Sequence, residues 1–198
     1  MRASMKALTI WLTGLPCSGK TTIATLLAQS LSQRGLSRLE VLDGDVVRTH
    51  LSKGLGFSRV DRDTNILRIG WVCQVLARHG VTTIVAAVSP YRESRSEVRA
   101  MIEKVGGAGT FLEVWVRCAI EECIRRDVKG LYAKALRGEI QQFTGISDPY
   151  EEPLAPDVVV ETSVELPLVS VERILARIIH DGSSRTGGVA SRGPRREE

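Results

Sequence analysis

Apolar residues along this chain fall into two alternating periods. Short apolar runs at 7–12, 39–42, 81–88, 111–116 and 157–160 read as strands, that at 81–88 as a fully buried one. Helical spacing appears between them: Ile23, Leu26, Leu27 and Leu31, then Ile66, Ile69, Val72, Cys73 and Leu76 up to His79-Gly80. Val98, Met101, Ile102 and Val105 mark a further helix closed by Gly106-Gly107, and Leu168, Val171, Leu175 and Ile178 mark a last one. Strands alternating with helices predict an α/β fold, a five-stranded parallel sheet flanked by helices. No internal repeat is present. From Gly182 the apolar period is lost, so residues 1–181 are expected to form one domain and 182–198 a disordered tail. The polar stretch Arg125 to Pro156 is too long for an ordinary connection, and it predicts a lid. Helical fragments are expected within it around Leu131 to Ile140, and turns at Thr144-Gly145 and Asp148-Pro149.

Composition narrows the class. With 43% hydrophobic and 25% charged residues in 198, this is a globular chain long enough to bury a substantial core. A net charge of +4, without basic stripes interleaved with aromatics, fits a lining for anionic ligands better than a nucleic-acid surface. No apolar run approaches the roughly 20 residues needed to cross a bilayer, so no membrane partner is expected. Cys17, Cys73, Cys118 and Cys123 have neither paired nor zinc-type spacing. They suit a reducing compartment, and a cytoplasmic protein is expected.

The first strand runs directly into Gly14-Leu15-Pro16-Cys17-Ser18-Gly19-Lys20-Thr21-Thr22, which fits G-x-x-x-x-G-K-[ST] without mismatch. A strand before it and a helix after it are what that motif requires. Loop amides and the positive end of the helix dipole then converge on phosphate oxygens. Lys20 would reach the β- and γ-phosphates of ATP, and Thr21 would give a hydroxyl to Mg2+. The fold expected is therefore of the P-loop nucleoside triphosphate hydrolase type.

A carboxylate is needed nearby, and the third strand ends in Ser89-Pro90-Tyr91 rather than in Asp. Asp43-Gly44-Asp45, at the end of the second strand, is the alternative source. Either acid could hold metal, and either could accept a proton from a substrate hydroxyl or cap the following helix. Arg48, Phe57, Arg62 and Asn65 follow, two cations suited to an anion and an aromatic with an amide suited to a purine. In the lid, Arg125, Arg126, Lys129, Lys134 and Arg137 could face phosphates on closure. Chemistry alone points to a kinase of a small anionic acceptor.

From the loop to about Asp157 the sequence resembles the adenylylsulfate kinase family. The resemblance rests on the loop, on Leu42-Asp43-Gly44-Asp45-Val46-Val47-Arg48, on Leu55-Gly56-Phe57-Ser58 with Asp61-Arg62 and Asn65-Ile66, and on Ser89-Pro90-Tyr91-Arg92. Two lid segments, Arg126 to Tyr132 and Phe143 to Glu151, make it specific. It implies transfer of the γ-phosphoryl group of MgATP to the 3′-hydroxyl of adenosine 5′-phosphosulfate. By the same resemblance, Arg48, Arg62 and Asn65 hold the acceptor, Phe57 and Phe143 stack its adenine, and Lys129 approaches it. Arg126 and the segment near Thr162 border the ATP base, and Ser89 occupies the position assigned a phosphoserine intermediate. Lys20, Asp43, Asp45 and Ser89 are thus the catalytic candidates, with Thr21, Asp43 and Asp45 toward the metal. The resemblance also implies a homodimer and a functional link to a sulfurylase. Cys17, Val46 and Leu67 depart from the family's usual residues. The rival readings are another small-metabolite kinase of the same fold, and a nucleotide-binding regulatory module without transfer.

Overall fold

The computed structural model describes residues 7–186. Thr9–Thr13 (β1) is buried at every position, as a strand with helices on both faces must be. It sits at the centre of a parallel sheet of order β2-β3-β1-β4-β5, with β2 Leu39–Asp43, β3 Thr82–Ala86, β4 Phe111–Arg117 and β5 Val158–Glu161. Ile10 pairs with Ile84 on one side and Leu112 on the other.

Because side chains alternate along a strand, β1 feeds two cores. Ile10 and Leu12 point to one face, where helices α1 (Lys20–Gln33) and α7 (Pro167–Thr186) bring Ile23, Leu27, Ile174 and Ile178. Trp11 points to the other, against α3 (Arg59–Arg78) and α4 (Arg92–Gly106), where Ile66, Ile69, Val98 and Ile102 are buried. Each such aliphatic side chain contributes roughly 1.5–3 kcal/mol by leaving water. Helices α3 and α4 approach closely because Gly70 has no side chain; a Cβ there would lie 2.6 Å from Val98 Cγ2.

Three further helices lie along the sheet's carboxyl edge: α2 (Gly44–Thr49), α5 (Ile120–Arg126) and α6 (Leu131–Leu136). The apolar period outlines neither α2 nor α5, since six and seven residues are too short to display it, and only the candidate cap at Asp43 or Asp45 points to α2. Helix α6 stops at Leu136, short of the expected Ile140, because Gly138 turns the chain at φ 75°. The strand ends shift by a residue or two: β3 covers less than 81–88, and β5 begins at Val158 rather than Asp157.

The lid carries its own small core. Cys118, Cys123, Tyr132, Ala135 and Phe143 are buried together, and Leu15, Ile120, Ile140 and Ile146 pack around them. Leu15 belongs to the loop after β1, so the lid rests directly on that loop. At the other end of the chain, α7 continues to Thr186, beyond the Gly182 at which the apolar period ends. The remainder of the expected tail, 187–198, lies outside the described residues.

Candidate active site

Parallel strands put all their carboxyl ends on one edge, and an open α/β sheet binds ligands there, beside the central strand where connections diverge. The loop between β1 and α1 occupies that position. Gly14 is required by space: a Cβ would lie 2.4 Å from the Val116 carbonyl oxygen. Cys17 (φ 60°) and Gly19 (φ 95°) take left-handed conformations that wrap the loop around the start of α1. Lys20 folds back beneath it and donates to Gly14 O (3.0 Å), Leu15 O (2.6 Å) and Ser18 Oγ (3.3 Å). Burial pushes its ammonium down from 10.5 to about 8, so bound phosphate, with its negative charge, would restore what burial takes away. On the outer flank, Thr162 Oγ1 donates to Ser18 O (2.7 Å) and Arg126 donates to Thr162 O (2.5 Å) and Cys17 O (3.4 Å). Both residues expected to border the nucleotide base therefore rim the loop. Leu15 and Pro16 line its half-buried outer turn, while Thr21 and Thr22 are exposed at the mouth.

The acidic turn meets the loop through one contact, Thr21 Oγ1 donating to Asp43 Oδ2 at 2.7 Å. Asp43 is also the N-cap of α2, its Oδ1 accepting from the Asp45 amide at 2.9 Å. Capping thus falls to Asp43, and Asp45 is left exposed in the first turn, where its one charged partner among the described residues is Lys129 of the lid. Thr21, Asp43 and Asp45 present hard oxygen atoms only, the donor set Mg2+ prefers.

The acceptor candidates gather across the cleft. Arg48 donates to Gly56 O (3.2 Å), and its guanidinium lies 4.7 Å from the centre of the half-exposed Phe57 ring. Arg62 sits 5.5 Å from the same ring and donates to Phe57 O (2.8 Å) and to Gln142 O in the lid. Burial lowers both guanidinium pKa values without removing the charge. Asn65 is buried beside them with its Oδ1 lacking any hydrogen-bond partner. An orphaned buried acceptor needs an explanation, and a ligand donor supplies one.

Two sequence expectations take a different form. Phe143 is 8% exposed and meets Tyr132 edge-on at 4.9 Å, so its ring packs the lid's core rather than lying open as a stacking surface. Ser89 is 1% exposed with φ 41°. Its Oγ accepts from Trp11 Nε1 (2.9 Å) and donates to Ala87 O (3.1 Å), so the hydroxyl faces the protein and not the cleft. Arg125 and Arg137, expected to face phosphates, are paired with Glu122 and Glu139 at the surface.

The sequence reading misses what anchors the lid's return. Arg95, 3% exposed, donates to Ser89 O, Glu113 Oε1 and Glu151 O at 2.7, 2.8 and 2.7 Å. Tyr150 shares a 3.0 Å hydrogen bond with Thr13, and Glu151 donates its amide to Pro90 O at 2.8 Å. The available signal was register: Arg95, Val98 and Ile102 lie on one helix face, so a charge there is a buried charge.

A phosphate loop on the central strand, an acidic turn beside it and a lid bearing cations define a P-loop kinase. Residues 6–161 match the family model for adenylylsulphate kinase, and the chain belongs to that family. The adenylyl-sulfate kinase of Gloeothece citriformis is 55% identical over 87% of this chain and 94% of that protein. That of Chloroflexus aurantiacus is 60% identical over 79% and 81%. Among solved structures, the Mycobacterium tuberculosis APS kinase CysC in complex with AMPPNP and APS is 38% identical, with TM-score 0.83 over 88% of this chain and 98% of that one. The family phosphorylates a hydroxyl group with ATP and uses Mg2+.

Proposed function

We propose that this chain carries out the family's transfer with the following division of labour. The γ-phosphoryl group of ATP passes to the 3′-hydroxyl of adenosine 5′-phosphosulfate, giving ADP and 3′-phosphoadenosine 5′-phosphosulfate. Gly14 to Thr22 cradle the donor phosphates, Lys20 leaves its loop carbonyls to meet them, and Arg126 with Thr162 borders the base. Thr21 and Asp43 would hold Mg2+, which supplies charge neutralisation on the phosphates. Asp45 is the base that takes the proton of the 3′-hydroxyl, since Asp43 is already occupied by Thr21 and the Asp45 amide. Arg48 and Arg62 grip the anionic end of the acceptor, Phe57 stacks on its adenine, and Asn65 meets a donor on it. Lys129 moves from Asp45 to the acceptor on closure, which also excludes water. Ser89 and Phe143 act as supports for the strand end and the lid.

The observation that carries this reading is the 2.7 Å contact between Thr21 and Asp43, which locks the donor loop to the acidic turn in front of the two arginines. The test is ATP consumption with and without adenosine 5′-phosphosulfate, with the product identified by mass. A 3′-phosphorylated nucleotide formed only with acceptor is expected; tight ATP binding without transfer would overturn it.

The active form is a homodimer in this reading, to be checked by sedimentation. The related Thiobacillus denitrificans APS kinase, 35% identical and matched over 90% of this chain and 30% of that one, is hexameric. A sulfurylase that makes the acceptor is the expected functional neighbour. A cytoplasmic location accords with four free thiols; no helix of the described residues is long and apolar enough to cross a membrane.

A further inference from the structure

We propose that Asp148 is a positioning residue for the acceptor, holding Arg62 in its gripping orientation from the anchored end of the lid. The inference rests on the reading of Arg62 as an acceptor ligand.

Asp148 Oδ2 lies 3.7 Å from Arg62 Nε, and it is the one carboxylate in ion-pair range of that guanidinium among the described residues. The pair is sheltered, with side chains 8% and 18% exposed. The other acceptors of Arg62 are the carbonyls of Phe57 and Gln142. Those two carbonyls belong to the segment before α3 and to the lid. The Asp148 carboxylate has a further tie, to the body of the fold. The Tyr91 hydroxyl donates to the same Oδ2 at 2.8 Å, and Tyr91 is 2% exposed at the N-terminus of α4, rooted on the sheet. The Asp148 backbone closes the 143–148 turn, its amide donating to Phe143 O (3.1 Å) and its carbonyl accepting from Gly145 (2.8 Å). Immediately beyond it, Tyr150 and Glu151 are tied to Thr13, Pro90 and Arg95. Asp148 therefore links the 143–148 turn of the lid to Tyr91 on the body of the fold, and holds Arg62 between them.

Burial, and the carboxylate it serves, push the Tyr91 hydroxyl up to about 12, so it remains a donor throughout the working range. The carboxylate also balances Arg62 where it crowds Arg48, whose own charge is disfavoured by that neighbour.

The experiment is a double-mutant cycle of Arg62→Ala and Asp148→Asn, read as kcat/KM for acceptor and for ATP. Asp148→Asn is expected to lower acceptor kcat/KM about 10–100-fold, as misplacement of a gripping group does. The ATP KM should stay within about twofold, and the substitution should add almost nothing once Arg62 is Ala. Equal losses for both substrates, or full additivity with Arg62→Ala, would overturn the assignment and leave a structural role. If Arg62→Ala itself leaves acceptor kcat/KM unchanged, the reading of Arg62 falls and the assignment falls with it. If Arg62→Ala is severe while Asp148→Asn is silent, only the role of Asp148 is lost. Should Asp148→Asn fail to fold, Tyr91→Phe removes the anchor without touching charge, and a loss confined to the acceptor is expected; a silent Tyr91→Phe would count against the proposal.

Discussion

The two halves of the cleft are built at different ranges. On the donor side, Lys20 bonds to Gly14, Leu15 and Ser18, partners 2 to 6 residues away. On the acceptor side, Arg62 reaches Gln142 across 80 residues, and Lys129 reaches Asp45 across 84. A local site is dictated by backbone geometry in one turn and forms as soon as its strand and helix do. A long-range site forms only when the sheet, α2, α3 and the lid are all in place, so its geometry can change with lid position. The donor half should therefore respond to substitution by losing chemistry outright, and the acceptor half by losing discrimination and orientation.

The sharpest way to break this contrast is at Lys20. Lys20→Met removes the single ammonium beneath the loop, and kcat should fall about 1,000-fold, the scale of losing one preorganised charge at a transferring group. Acceptor binding measured by calorimetry should survive. Loss of acceptor binding as well would mean that the two halves are not separable.

Next in size is Asp45→Asn, which keeps the side chain's shape but removes its ability to take a proton. Turnover should drop about 100-fold while the KM for ATP changes little. Unchanged turnover would remove Asp45 as the base and return attention to Asp43. Ser89→Ala should be far milder, about threefold or less in turnover. It should cost about 1 kcal/mol in stability from the lost hydrogen bonds to Trp11 and Ala87. Abolished turnover with an intact fold would restore a covalent role to that hydroxyl.

The same division of range explains what was legible in the sequence. All five strands and the helices α1, α3, α4 and α7 announce themselves by period, because each is long enough to repeat its pattern against the core. The course of the loop between β1 and α1 is legible, since Gly14 and Gly19 stand where close approach and a left-handed backbone require them. The acidic turn was legible as a pair but not in its roles, because α2 is a single short helix and the choice of cap depends on which carboxylate meets Thr21. Ser89 and Phe143 show the limit of resemblance. It transfers a residue type to a position, but the direction of a hydroxyl or a ring is decided by Trp11 and Tyr132. Arg95 and Asp148 escaped because their partners lie on other elements, Arg95 reaching Glu113 on β4 and the Glu151 carbonyl, and Asp148 reaching Tyr91 and Arg62.

The donor loop also has a long-range rim, Thr162 and Arg126, and Arg126 offers the smallest effect. Arg126 touches Cys17 across 109 residues, but its orientation is set locally by Glu122, whose Oε1 accepts from Arg126 Nε at 2.8 Å. Hydrogen bonds from Arg125 and then Arg126 hold the Glu122 carboxyl down at about 2, against an ordinary 4.5. A carboxyl depressed on folding lends stability that is complete above the unfolded value and disappears as pH falls through the folded one. The melting-temperature difference between the native protein and Glu122→Gln should therefore be constant above about pH 4.5 and shrink toward pH 2. At neutral pH the same substitution frees Arg126 from its local clamp, and the KM for ATP should rise by only about two- to threefold, since the pair is at the surface and screened by water. The acceptor KM should not move. A larger ATP effect would mean that Arg126 is held as firmly as Lys20 and belongs to the local half; a shift in acceptor KM would mean that α5 carries the lid with it and that the two halves are joined through Glu122.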